Sequence, residues 1–161
     1  MGNRGTVVFT DGKGKYSPAV YLHWNGGPES VYGFLEELNR RKVRADQEYE
    51  CARFVQLCGE FLDQDAQGGL SLGVIDGPRS DSLIDLSRIE TDLGDNGLYL
   101  VNREAVPMVV RRFHSHYDSQ HGVTMSEATR TQVRQEHRMA LHHKYDLLKS
   151  SFAQIAGGRK V

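Results

Sequence analysis

The chain has 161 residues, 39% of them hydrophobic and 25% charged, with a formal net charge of −1. That length suits one domain with its own core, and the composition excludes collagen-like, disulfide-scaffold and wholly disordered chains. No apolar run approaches the roughly 20 residues of a membrane-spanning helix, and Met1–Phe9 lacks the apolar stretch of a secretory signal. The overall charge conceals a split: residues 1–102 hold ten Lys/Arg against sixteen Asp/Glu (−6), and residues 103–161 hold ten against five (+5). Six of the seven histidines lie in the second part. Such a division points to a basic surface for an acidic partner, or to two parts that neutralise each other.

Taken in chain order, Thr6-Val7-Val8-Phe9 and Ala19-Val20-Tyr21-Leu22-His23-Trp24 read as strands, joined by a turn at Gly12-Lys13-Gly14-Lys15 into a hairpin. Asn25-Gly26-Gly27 ends the second strand, and Trp24 is expected in the core. Pro28 and Glu29 suit the first turn of a helix. Val31, Phe34, Leu35 and Leu38 follow at helical spacing, and Arg40-Arg41-Lys42 places cations at the C-terminus. Asp46 is a candidate cap for a second helix with the apolar face Cys51, Phe54, Val55, Cys58, Phe61 and Leu62. Cys51 and Cys58 thus read as core thiols too far apart along a helix to pair. Free buried thiols fit a reducing compartment, and a cytoplasmic location is expected.

Leu70–Ile75 reads as a strand, Asp76–Asp81 as a loop, and Leu83–Glu90 has no clear pattern. Asp95-Asn96-Gly97 is a turn before the strand Leu98–Val101, and Val106–Phe113 reads as a further strand. His114–Gly122 reads as polar and irregular. Thr124 or Ser126 is expected to cap a long helix running to about Ala156, with Val133, Ala140, Leu141, Leu148, Phe152 and Ile155 as a weak apolar stripe. The expected class is α+β: a small, mostly antiparallel sheet of about five strands, two packed helices and a long C-terminal helix. Residues 1–113 would form the body, and 114–161 a basic, histidine-rich linker and helix within the same structural domain.

Several groups are candidates for chemistry. His114 and His116 lie on one face if the strand continues through them, and with His121 they are candidate zinc ligands. The alternative is a set of solvated linker histidines. Arg130, Arg134, Arg138 and His142 recur at i, i+4 on one side of the last helix, and with Arg111 and Arg112 they are candidate contacts to a partner or to nucleic-acid phosphates. A merely solvated helix face is the competing reading. Asn25-Gly26-Gly27 before a helix resembles an anion cradle, but it lacks the P-loop lysine and Glu29 would repel a phosphate, so a tight turn is expected. Cys51 is a poor nucleophile on an apolar stripe. No nucleophile turn is present.

Met1-Gly2-Asn3-Arg4, Tyr21-Leu22-His23-Trp24-Asn25-Gly26-Gly27, Ser30-Val31, Phe34-Leu35 and Asp95-Asn96-Gly97-Leu98-Tyr99 resemble a family of small proteins found in bacteria and their mobile elements. The resemblance covers roughly the first 102 residues and brings no catalytic residues with it. It implies a role in phage–host conflict. The leading expectation is a non-enzymatic inhibitor, anti-CRISPR or otherwise anti-defence, that binds a host complex handling nucleic acid. No cofactor and no membrane partner are implied. One alternative is a metal-dependent hydrolase or nucleotide-processing enzyme using His114, His116 and His121. The other is a nucleic-acid-binding protein using the arginine stripe.

Overall fold

The computed structural model describes residues 3–62, 70–73, 95–120 and 122–143. The described elements run β1 (Gly5–Phe9), β2 (Ala19–Leu22), α1 (Pro28–Arg40), α2 (Gln47–Leu62), β3 (Leu70–Gly73), β4 (Leu98–Asn102), β5 (Val109–Asp118), β6 (Gly122–Glu127) and α3 (Arg130–His143). The strands form one six-stranded sheet in the order β3-β2-β1-β4-β5-β6. It is built from two antiparallel meanders, β1-β2-β3 and β4-β5-β6. They join along a parallel seam between β1 and β4, where Thr6 faces Leu98 and Phe9 faces Val101. The α+β class is as expected, with one strand more than anticipated.

The seam explains why Gly5–Phe9 carries a single polar side chain, Thr6, and no polar–apolar alternation. A strand in the middle of a sheet covered on both sides has no polar face to show, and every residue of β1 is buried. Val7 and Phe9 face the helices, together with Val20, Leu22, Tyr99 and Val101. Val8 faces the other way with Ala19, Leu98, Leu100 and Phe113, and Tyr16 packs against that second cluster. On the helical side Phe9, Phe34, Phe54 and Phe61 meet edge-on, with ring centroids 5.3–5.9 Å apart. This is the arrangement that aromatic quadrupoles prefer. Cys51 and Cys58 are buried free thiols in the same cluster, as the helical pattern suggested. Burial raises both thiol pKa values, Cys51's in spite of a hydrogen bond with Ser17. Leu57, not on the expected stripe, is also buried there.

Three local readings change. Trp24 is 44% exposed instead of core. Strand β2 ends at Leu22, and Trp24 makes an edge contact with His23 at 4.9 Å. Residues 114–118, expected as irregular linker, continue β5, so the anticipated division at residue 113 falls inside a strand. Thr124 and Ser126 do not cap the last helix. They lie in β6, opposite His116 and His114. The cap is Thr129: its Oγ1 accepts from the Gln132 backbone N–H at 3.2 Å, while the Thr129 N–H donates to Gln132 Oε1 at 2.8 Å. That reciprocal pair is the capping box of a Thr-x-x-Gln sequence. The stretches Asp76–Asp81 and Leu83–Glu90, and the expected continuation of the helix through Leu148, Phe152 and Ile155, lie outside the described residues.

Two glycines are required by close backbone approach. Gly97 sits at φ +74°, and a side chain there would collide with the Phe113 carbonyl of β5. Gly26 lies against the backbone of Arg4 and Gly5, and its N–H donates to Asn3 O at 2.6 Å. Its carbonyl accepts from Tyr99 Oη at 2.9 Å. The glycine pair before α1 therefore packs a turn against the start of β1.

Two buried carboxylates lock the helix ends. Glu50, on the inward face of α2, pairs with Arg103 at 2.7 Å, and both side chains are almost wholly buried. Arg103 also donates to Asn39 Oδ1 at 2.9 Å and to the Val43 carbonyl at 3.0 Å, so one guanidinium ties the end of α1, the α1–α2 loop and α2 to the loop after β4. Burial raises the Glu50 pKa, partly offset by the Arg103 hydrogen bond and charge. Glu37 accepts from Arg40 Nε at 2.7 Å and from Arg41 Nε at 2.8 Å, and Arg41 reaches on to Glu60 of α2 at 3.0 Å. Burial would raise the Glu37 pKa, but the Arg40 and Arg41 hydrogen bonds outweigh it and hold the carboxyl below its ordinary value.

A carboxyl whose folded pKa is depressed stabilises the fold above its unfolded pKa, and that contribution is lost as pH falls through the folded value. Glu37→Gln should therefore cost about 1–2 kcal/mol at neutral pH and flatten the loss of stability on acidification below the ordinary value of 4.5. Urea unfolding of both proteins across the acid range checks this. Parallel curves would show that Glu37 is not the titrating group.

Candidate functional site

Strand alternation separates the two arginines of β5. Arg111 stands opposite Leu100, on the face carrying Val8 and Phe113. It makes a bidentate pair with Glu127 of β6 (Nε–Oε1 2.7 Å, Nη2–Oε2 2.8 Å) and lies 5.2 Å from the centre of the Phe113 ring. That pairing raises the Arg111 pKa and lowers that of Glu127. Its charge is answered within the protein.

Arg112 stands opposite Tyr99 on the helical face and is 1% exposed. It pairs with Glu136 of α3, donates to the Asn96 carbonyl, and lies over the Tyr99 ring at 4.5 Å. The expectation that Arg112 meets a partner or a phosphate is thus corrected. No outside phosphate reaches it, because it forms the internal seat of α3. The next residue of α3, His137, stacks on Tyr32 of α1 with ring centroids 4.9 Å apart and planes 20° apart. Its Nε2 is 3.2 Å from Glu36 Oε1. Burial raises the Tyr32 pKa strongly, and the nearby Glu136 charge adds to it. Tyr32 Oη, Arg112 Nε and Glu136 Oε2 are buried without a hydrogen-bond partner among the described residues.

These contacts explain why the apolar stripe of α3 reads as weak. On the inward side, Val133 packs against the main core, but Glu136 and His137 beside it dock through charge and stacking. Glu136 is the only carboxylate in Arg130–His143. With it turned inward, the outward side carries Arg130, Arg134 and Arg138, all exposed, beside the exposed Thr131, Gln135 and Met139. Their i, i+4 spacing sets them in a row about 6 Å apart along the helix axis. No ion-pair partner for Arg134 or Arg138 occurs among the described residues, and Arg130 has the Glu127 charge nearby. The side chain of His142, the fourth expected member, is outside the described residues.

Of the expected metal ligands, His114 is half-buried opposite Ser126, and position 116 pairs with Thr124. The strand does continue through both positions, the condition for their sharing a face. His121 lies outside the described residues. Among the described residues no group of three His, Cys, Asp or Glu side chains could hold a metal ion. The described helices include none long and apolar enough to cross a membrane.

The sequence reading missed Glu50 with Arg103 and Glu136 with Arg112. A signal existed for each. Glu50 falls on the same helical face as Phe54 and Cys58, and Glu136 on the same face as Val133. A carboxylate on an inward face needs a buried cation.

Removing one partner of such a pair leaves the other charge buried and uncompensated. Glu136→Ala should destabilise the protein by about 2–4 kcal/mol, below the range for a fully enclosed pair because Glu136 is 22% exposed. The double variant Arg112→Met, Glu136→Leu should recover most of that loss. Chemical denaturation measures both, and a single variant as stable as the parent would show that water reaches Arg112.

No protein-family model, curated protein or solved structure matches the chain, so its functional reading rests on its own residues.

Proposed function

We propose that this protein acts by binding, and that the outward side of α3 is its docking element for a polyanionic partner. One observation carries the reading. The helix turns its only carboxylate inward onto Arg112 and leaves Arg130, Arg134 and Arg138 exposed in a row. Arg130 stands in the first helical turn, which contains no acidic residue. A cation there opposes the helix dipole by a few tenths of a kcal/mol. Glu127 answers part of that charge, and an external anion would offset the rest.

The finer reading is an anti-defence protein that blocks a host complex handling nucleic acid, with a CRISPR effector as the candidate target. It is supported by the exposed cationic face of α3, whose charge suits a complex that handles a polyanion. The metal-dependent hydrolase reading has the strand through His114 and His116 in its favour, but no group of three ligating side chains among the described residues.

Phage plating on hosts that carry a nucleic-acid-targeting defence system tests the proposal. Expression of the chain should restore plating, and the Arg130→Ala, Arg134→Ala, Arg138→Ala triple variant should not. Restoration by the triple variant would remove α3 as the docking element. Unrestored plating across a panel of such systems would remove the inhibitory reading.

A further inference from the structure

Resting on the reading of α3 as the docking element, we infer that the polyanion it takes is the phosphate backbone of nucleic acid, held without base readout. Three features of the surface favour this ligand over an acidic protein. The first is where the charge lies. Protein interfaces place apolar and aromatic anchors at the centre and charges at the rim. On α3 the arginines form the row itself, and Met139, 60% exposed, is the large hydrophobic that accompanies them.

The second is the chemistry of the donors. A guanidinium presents a planar fork that matches two oxygens of one phosphate. Thr131 and Gln135, exposed between the arginines, add neutral donors of the kind that contact phosphate and sugar. Within α3 no carboxylate stands among them to repel a phosphate, and Glu127, near Arg130, is already paired with Arg111.

The third is rigidity. The helix is capped at Thr129, pinned through Glu136 to the buried Arg112, and stacked through His137 on Tyr32. The row is therefore presented from a fixed element, and little ordering of the backbone is left for binding to supply. Arg111 adds nothing to it, since Glu127 already answers that charge on the opposite face of the sheet.

Fluorescence anisotropy of the full chain with a random-sequence DNA duplex, and with single-stranded RNA of the same sequence, tests the inference. Three neutralised phosphates predict a slope of log K against log salt of roughly −2.7 on the duplex, or about 40-fold weaker binding at 200 mM than at 50 mM salt. The Arg130→Ala, Arg134→Ala, Arg138→Ala variant should lose most of that slope, and the corresponding triple lysine variant should keep it. Arg53→Ala, which removes a charge from α2, should leave it unchanged, and scrambling the probe sequence should not matter. The two probes distinguish duplex from single strand as the source of the phosphates. Binding of poly-L-glutamate through the three arginines, with neither nucleic acid bound, would overturn the inference and leave the docking reading intact. Nucleic-acid binding with the same slope in the alanine variant would overturn both.

Discussion

Arg112 is a long, permanently charged side chain placed on the inward face of a strand, where water does not reach it. A guanidinium there must find a counter-charge or it unfolds its surroundings. Glu136 supplies the charge, the Asn96 carbonyl takes a further N–H, and the Tyr99 ring supplies a negative face beneath it. Asn96 in turn is fastened to the N-terminal segment, donating to Asn3 Oδ1 at 2.6 Å and to the Arg4 carbonyl at 2.9 Å. The seat of α3 is thus connected to the turn that opens β4 and to the residues that lead into β1.

Docking a helix through charge has a consequence for its outer surface. A helix held by leucines can distribute acidic and basic residues freely over its exposed face. Here the sole carboxylate of α3 is committed inward, so the outward face is cationic by subtraction. The same pair that fixes the helix in place determines the sign of the surface it presents. Structure and candidate function are coupled at Glu136 in a way that no property of the exposed arginines alone would reveal.

A second use of the same device appears at the opposite side of the helical layer. Arg103 closes on Glu50, Asn39 and the Val43 carbonyl, where α1 ends and α2 begins. Buried ion pairs of this kind add little net stability compared with well-packed apolar groups, but they strongly penalise any arrangement that separates them. In this protein they stand at both ends of the three-helix layer, while the phenylalanines of α1 and α2 fill its middle.

Local pattern was enough for much of the body. The β1–β2 hairpin, Pro28 at the head of α1, the amphipathic run of α2 with its two buried thiols and the Asp95-Asn96-Gly97 turn depend on periodicity and turn chemistry within a few residues. So did the arginine row, because i, i+4 spacing is a property of any helix. Local pattern failed where neighbours in space decide. Thr124 and Ser126 are good caps in isolation, yet pairing with β5 draws them into a strand and leaves the cap to Thr129. Arg111 and Arg112 look alike in sequence, yet alternation across the sheet sends one to a carboxylate at the surface and the other beneath a helix. The sequence by itself determined which residues carry charge and, before residue 114, where most of the described helices and strands fall. Only the tertiary structure decided which of those charges are spent inside the protein and which remain on its surface, because that depends on what each side chain is brought against.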